Sequence, residues 1–202
     1  MAIRAGASAL GLVSAMPSGP GVIDEATIAL VAGAVPPSVS TFLLTSLQEA
    51  SAIAEQQRRL RTTTVQICDR VTAGAYPELR RALPGIGLVQ VVHVTGPESL
   101  EEAARVAPGV DALLLDSGNQ SLAVKELGGT GRRHDWRVSR KIREAVTVPI
   151  FLAGGLNAEN VGEAIAEVGP FGLDLCSGVR TEGRLDPRKL EAFFAAIRTT
   201  RA

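Results

Sequence analysis

Seven short apolar runs, each followed by a helix-patterned segment, leave this 202-residue chain few ways to fold. The runs lie at residues 9–15, 39–45, 63–68, 88–94, 112–116, 149–153 and 172–175. Helical patterning covers 24–34, 47–60, 76–83, 97–106, 135–145, 158–168 and 187–198. The runs are mostly apolar throughout rather than alternating, as strands buried on both faces of a parallel sheet must be. Regular strand–helix alternation over one domain, 1–202, allows an α/β barrel or a doubly wound open sheet. The sequence has no early G-x-G-x-x-G turn of the kind a dinucleotide-binding sheet carries. Its glycine-rich strand ends come late, which favours the barrel.

Two of those strand ends have the chemistry of an anion site. The run at 149–153 flows into Gly154 and Gly155, and the run at 172–175 into Ser177 and Gly178. Small residues at a strand–helix junction leave backbone N–H groups free and unshielded, and such groups bind phosphate. Close packing of helix on strand also demands glycine. Two successive strand ends of this kind point to a phosphorylated small-molecule ligand. The longest connection, 117–134, contains Gly128-Gly129-Thr130-Gly131 and reads either as a lid over that ligand or as a flexible turn. Asp116 ends its strand at the same mouth. By itself it reads as a cap for the following loop or as an acid–base group.

Composition removes several function classes. Net charge is zero, so no electrostatic pull toward nucleic acid or an anionic membrane is expected. The apolar runs are strand-sized, too short to span a bilayer, and no secretory signal is visible. Two cysteines, Cys68 and Cys176, each fall at a strand end and are expected as free thiols in a reducing, cytoplasmic setting. Two histidines without a Cys/His cluster argue against a zinc site. His93, inside a strand, reads as a satisfied interior histidine. Arg132, Arg133 and His134 read as an anion-attracting cluster or, more simply, a solvated loop, and Trp136 as packing on the barrel exterior or near the loop.

Five motifs occur in order: Ala-Gly-Ala-Ser-Ala-Leu-Gly at 5–11, Asp-Ala-Leu-Leu-Leu-Asp at 111–116, Gly-Gly-Thr-Gly at 128–131 with Asp135-Trp136, the 151–160 segment, and Asp-Leu-Cys-Ser-Gly-Val at 174–179. On these the chain resembles the phosphoribosylanthranilate isomerases of tryptophan biosynthesis from about residue 2 to residue 198. The resemblance implies a (β/α)₈ TIM-type barrel that uses neither cofactor nor metal and is cytoplasmic, as monomer or homodimer. It implies an Amadori rearrangement of N-(5-phosphoribosyl)anthranilate to a 1-amino-2-ketose phosphate. Asp116 matches the family's general acid. Gly129 and Gly131 match its mobile loop, Gly154, Gly155, Ser177 and Gly178 its phosphate grip, and Asp174 a substrate-contacting carboxylate.

The sequence also departs from the family. Residues 2–7 read as the end of a helix stopped at Gly6, without a strand before it, so the barrel is expected to lack its first strand and to hold seven βα units. That strand carries the family's general base, a cysteine in a Lys-x-Cys-Gly motif. Met16–Val22 lacks the arginine the family places there, Cys68 stands where a histidine is common, and Cys176 where a serine is common. Three readings stay open: a start site further upstream, a paralogue whose base has moved to Cys68, or an impaired barrel that only binds a sugar phosphate. A related aminoaldose isomerase of histidine biosynthesis would show two half-barrel phosphate motifs, and only the C-terminal half has one here. Unpaired strands beside a gap are expected to make the chain oligomeric or aggregation-prone.

Overall fold

The computed structural model describes residues 1–200. Its strands are β1 (Ala9–Val13), β2 (Ser40–Thr45), β3 (Thr64–Ile67), β4 (Gly87–His93), β5 (Ala112–Asp116), β6 (Ile150–Leu152) and β7 (Gly172–Leu173), paired in parallel in that order. Parallel neighbours require the chain to return to the same end, and each crossover does so through a helix. The helices are α1 (Ala2–Ala5), α2 (Glu25–Ala34), α3 (Ala50–Leu60), α4 (Ala75–Ala82), α5 (Ser99–Val106), α6 (Trp136–Ala145), α7 (Val161–Val168) and α8 (Pro187–Thr200). A small antiparallel hairpin, β8 (Arg180–Thr181) and β9 (Arg184–Leu185), precedes α8.

Local chemistry sets several boundaries. Asp24 caps α2, its carboxylate accepting the Thr27 N–H at 2.8 Å, and Asp135 caps α6 through the Arg137 N–H at 3.0 Å. Gly6 stops α1 with φ 117°, and Gly169 stops α7 with φ 61°. The sequence pattern starts helices at 47 and 158, but the chain delays both. Residues 47–49 stay outside α3. Asn157 and Asn160 bond each other's backbone and hold the entry to α7 in a turn.

Two cores lie on opposite faces of the sheet. Leu113 and Leu115 of β5, Leu88 and Val92 of β4, and Ile150 and Leu152 of β6 pack outward among the helices with Trp136, Ile142, Leu190 and Phe193. Val89, Val91, Ala112, Leu114, Cys68 and Ala153 form the inner cluster, with Phe42, Leu44 and Phe151 against it. This alternation determines what meets at the strands' C-terminal ends. Counting by twos along each strand brings Cys68, His93, Asp116 and Asp174 to the inner side of the mouth.

Helix and strand layers close differently among the described residues. α1 packs on α8, where Gly6 leaves room for the Phe194 ring, so the helices meet around the outside. A groove of about 630 Å³ runs beside this contact, lined by Met1, Ala5, Leu190 and Phe194. The sheet has β1 and β7 as its two edges. Burial follows the pairing: every residue of β5 is buried and neither residue of β7 is. No described helix is long and apolar enough to cross a membrane.

Candidate active site at the barrel mouth

Asp116 ends β5 with its side chain almost wholly buried. Oδ1 accepts the Ser117 N–H at 2.7 Å. Burial raises its pKa above the usual carboxylate range, opposed by the Ser117 N–H and by the fields of His93 and Arg132. Such a carboxyl can retain a proton nearer neutrality and deliver it. Glycines surround it: a methyl on Gly128 would come within 3.1 Å of Oδ2, and one on Gly154 within 3.2 Å of Oδ1.

The glycine strand ends form one seat. Gly154 and Gly155 take φ 86° and 65°, a region favouring glycine. Asn160 Nδ2 donates to the Gly155 carbonyl at 3.0 Å and holds this turn. Across from it, a 3₁₀ turn at Ser177–Val179 follows β7. A methyl on Gly178 would overlap the Leu156 carbonyl, so the two loops touch backbone to backbone. The N–H groups of Gly154, Gly155, Ser177 and Gly178 donate to no acceptor among the described residues. Unspent donors converging from two loops suit an anion.

Asp174 lies just beyond β7, its N–H donated to the Leu152 carbonyl at 2.8 Å. Burial, and then the charge of Asp116, push its carboxyl up to about 6. Asp116 and Asp174 line the same small cavity, together with Gly129, Gly131, Gly154, Gly155 and Ser177.

The long loop 117–135 is strapped across this mouth. Asn119 and Glu126 exchange backbone hydrogen bonds at 2.9 Å and close its tip. Lys125 Nζ reaches Asp69 Oδ2 at 2.6 Å, Ser18 Oγ donates to the Lys125 carbonyl at 2.6 Å, and Gln120 Nε2 to the Cys68 carbonyl at 3.3 Å. Gly129 lies against Pro20, and Gly131 and Arg132 against Gly155 and Ser177. The cavity left beneath is about 30 Å³, room for water alone. Any larger ligand must lift the strap, the behaviour expected of a lid.

Cys68, the candidate substitute base, is buried at the end of β3. Its side chain is 1% exposed, with Sγ beside Gln66. Burial, then the Asp116 charge, push the thiol far above its ordinary range, which disfavours the thiolate a base would need. His93 is buried as expected, its Nε2 3.0 Å from the Cys68 carbonyl, but its Nδ1 has no partner. His134 departs from its reading as a solvated loop residue. It is buried behind Gly154, with Nε2 2.7 Å from Ser139 Oγ and Nδ1 unpartnered, and burial pushes its pKa down to about 4. Arg133 leaves the loop to stack on Trp136 at 3.5 Å and pair with Glu163. Among the described residues, no group of three or more His, Cys, Asp or Glu side chains could hold a metal ion.

Comparison with known proteins agrees with this geometry. The family model described as N-(5'phosphoribosyl)anthranilate (PRA) isomerase matches residues 5–196. N-(5'-phosphoribosyl)anthranilate isomerase 2 of Methanosarcina mazei is 36% identical over 195 residues, 96% of this chain and 85% of its own length. The Halorubrum lacusprofundi isomerase is 37% identical over 96% of this chain and 88% of its own. Among solved structures, the Thermotoga maritima isomerase superposes with a TM-score of 0.81 at 25% identity, covering 98% of this chain and 91% of that one. Another isomerase structure, holding reduced 1-(o-carboxyphenylamino)-1-deoxyribulose 5-phosphate, superposes at 0.79 with 23% identity, covering 98% of this chain and 91% of its own. The curled seven-stranded sheet is thus a TIM-type fold. The chain belongs to the N-(5'-phosphoribosyl)anthranilate isomerase family.

Proposed function

We propose that this chain isomerises N-(5'-phosphoribosyl)anthranilate to 1-(o-carboxyphenylamino)-1-deoxyribulose 5-phosphate, an Amadori rearrangement in tryptophan biosynthesis. One observation carries the reading: a buried carboxyl with a raised pKa, Asp116, stands beside a glycine seat with unspent N–H groups. The 5'-phosphate sits on the N–H groups of Gly154, Gly155, Ser177 and Gly178. Asp116 protonates the ring oxygen, the C1–O bond breaks, and the ring opens to an iminium ion. The strap carrying Gly129 and Gly131 closes over the bound sugar and excludes water.

A sugar-phosphate-binding barrel without turnover is the second reading, favoured by the burial that pushes the Cys68 thiol up and makes it a poor base. One experiment separates the two. The purified chain, given freshly formed N-(5'-phosphoribosyl)anthranilate, is expected to produce the ketose phosphate and to restore growth of a tryptophan auxotroph. Binding of the reduced product analogue without turnover would favour the second reading.

Cytoplasmic residence is part of the proposal, supported by two unpaired thiols. So is assembly as monomer or homodimer. The edges at β1 and β7 offer backbone groups to another chain and favour association. Sedimentation velocity is expected to show concentration-dependent self-association. A single monomeric species across a hundredfold range of concentration would settle on the monomer and overturn association through these edges.

A further inference from the structure

We propose that Lys125 recognises the carboxylate of the substrate's aminobenzoate ring, and that Asp69 occupies that carboxylate's place while the site is closed and empty. This rests on the function proposed above. Such a substrate carries two anions, a phosphate at one end and an ortho carboxylate on the aromatic ring at the other. The glycine seat takes the first. The second calls for a cation on the far side of the mouth.

Strand order locates that side. The phosphate seat follows β6 and β7, Asp116 ends β5, and Asp69 follows β3. Neighbouring strands lie about 4.8 Å apart, so about 14 Å of sheet separates the ends of β3 and β6. A sugar held by its 5'-phosphate, with its ring oxygen at Asp116, carries its C1 substituent onward to β4 and β3. There the strap lays Lys125 against the end of β3, with Nζ 2.6 Å from Asp69 Oδ2. Two residues on, Leu127 is buried in the inner apolar cluster with Cys68, and Met16 packs against that cluster. Lys125 and Leu127 thus set a charge beside an apolar surface, the combination an aminobenzoate requires. The strap's Arg132 belongs to the other side: its backbone lies against Gly155, and its guanidinium pairs with Glu126.

The present partner of Lys125 has the chemistry of the ligand. Asp69 is buried, and its carboxylate also accepts Gln48 Nε2 at 2.9 Å and the Arg70 N–H at 2.8 Å. Both donors stay when Nζ leaves, so Asp69 is not stranded as a bare buried charge. Lys125 keeps 38% of its side chain exposed, and its backbone is anchored separately, the carbonyl accepting Ser18 Oγ at 2.6 Å. A lysine ammonium has three donors on a flexible stem, so Nζ can pass from one carboxylate to another while Ser18 still holds the strap. A ligand lacking the carboxylate gives Nζ nothing in exchange for Asp69. The exchange therefore selects for the acidic ring.

The test is calorimetry with two ligands: reduced 1-(o-carboxyphenylamino)-1-deoxyribulose 5-phosphate and the same compound without its carboxylate. Wild type is expected to prefer the carboxylated ligand by about 10- to 100-fold, the range of one hydrogen bond to a charged group. Lys125→Met should lose that preference, with the carboxylated ligand weakened by the same factor and the other ligand changed by less than about threefold. Lys125→Arg should keep most of it. Asp69→Asn separates recognition from mere strapping. It breaks the same ion pair, yet it should hold the carboxylated ligand at least as tightly as wild type, because the competing carboxylate is gone. Equal weakening of both ligands in Lys125→Met would overturn the assignment, as would a loss in Asp69→Asn that matches Lys125→Met, or a wild type that binds both ligands alike. Turnover of substrate is measured separately. A wild type that binds the carboxylated ligand without turnover overturns the isomerase reading, and the ligand preference still decides the role of Lys125. A wild type that binds neither ligand overturns both.

Discussion

Asp116→Asn is expected to remove isomerase activity, with kcat falling about 10³-fold or more while the protein stays folded. The amide matches the carboxyl in size, and its oxygen can still accept the Ser117 N–H now held at 2.7 Å. It cannot deliver a proton to the ring oxygen, so the furanose stays closed. KM should barely move, because the phosphate seat is built from other strand ends. The melting temperature should hold or rise, since a buried carboxylate opposes folding when ionised. The raised pKa also predicts that wild-type kcat declines as pH rises through it, because the acid form disappears. The measurement is kcat and KM for both proteins, with thermal melting alongside. Asp116→Asn retaining kcat within tenfold would end the acid assignment, as would equal growth of a tryptophan auxotroph on the wild-type chain and on Asp116→Ala.

Gly178→Ala should be nearly as damaging, for a steric reason. The added methyl would overlap the Leu156 carbonyl, and the obstacle is backbone with no rotamer to change. The β6 and β7 loops must then part. The N–H groups of Gly154, Gly155 and Ser177 cease to converge, and the phosphate loses its seat. We expect KM to rise about 100-fold, equivalent to about 2.7 kcal/mol of binding, and stability to fall by about 1–3 kcal/mol, the usual cost of forcing extra volume into a packed site. Gly33→Ala is the control. It lies in α2 with nothing within 4 Å of the added methyl. There the same substitution should raise stability by about 0.5–1 kcal/mol by restricting the unfolded chain. Calorimetry with inorganic phosphate and substrate kinetics check both. Normal KM and melting in Gly178→Ala would mean that the two loops do not form a single site.

The placement of the acid was legible because strand periodicity and a strand end are local. Residues 112–116 read as a strand, and the structure has β5 at Ala112–Asp116. The helix stop at Gly6 was legible for the same reason: a cap is decided within four residues. The β8–β9 hairpin was not. Its strands are two residues each, too short for any period, and it turns at Glu182 and Gly183 with positive φ. His134 was misread because a histidine between arginines and an aspartate has the composition of a solvated loop. Its burial depends on Ser139 one helix turn away and on the space behind Gly154. Cys68 was placed correctly at a strand end, but its thiol's proton affinity depends on the charges of Asp116 and Asp174, far away in sequence.

The amino-acid order alone determined that this chain alternates strands and helices, that the sheet is parallel, and that small residues close its last strands. Each of these is a property of a few adjacent residues: hydrophobic period, capping, and the absence of a Cβ. Tertiary structure decided which of those residues share a site. Ser18 meets Lys125 across 107 positions, Lys125 meets Asp69 across 56, and Gln120 meets Cys68 across 52. Those contacts draw the strap over the mouth and enclose Asp116 and Asp174 together. Only then does burial raise the pKa of both aspartates, and the charge of Asp116 adds to it at Asp174, because desolvation and long-range charge exist only after folding.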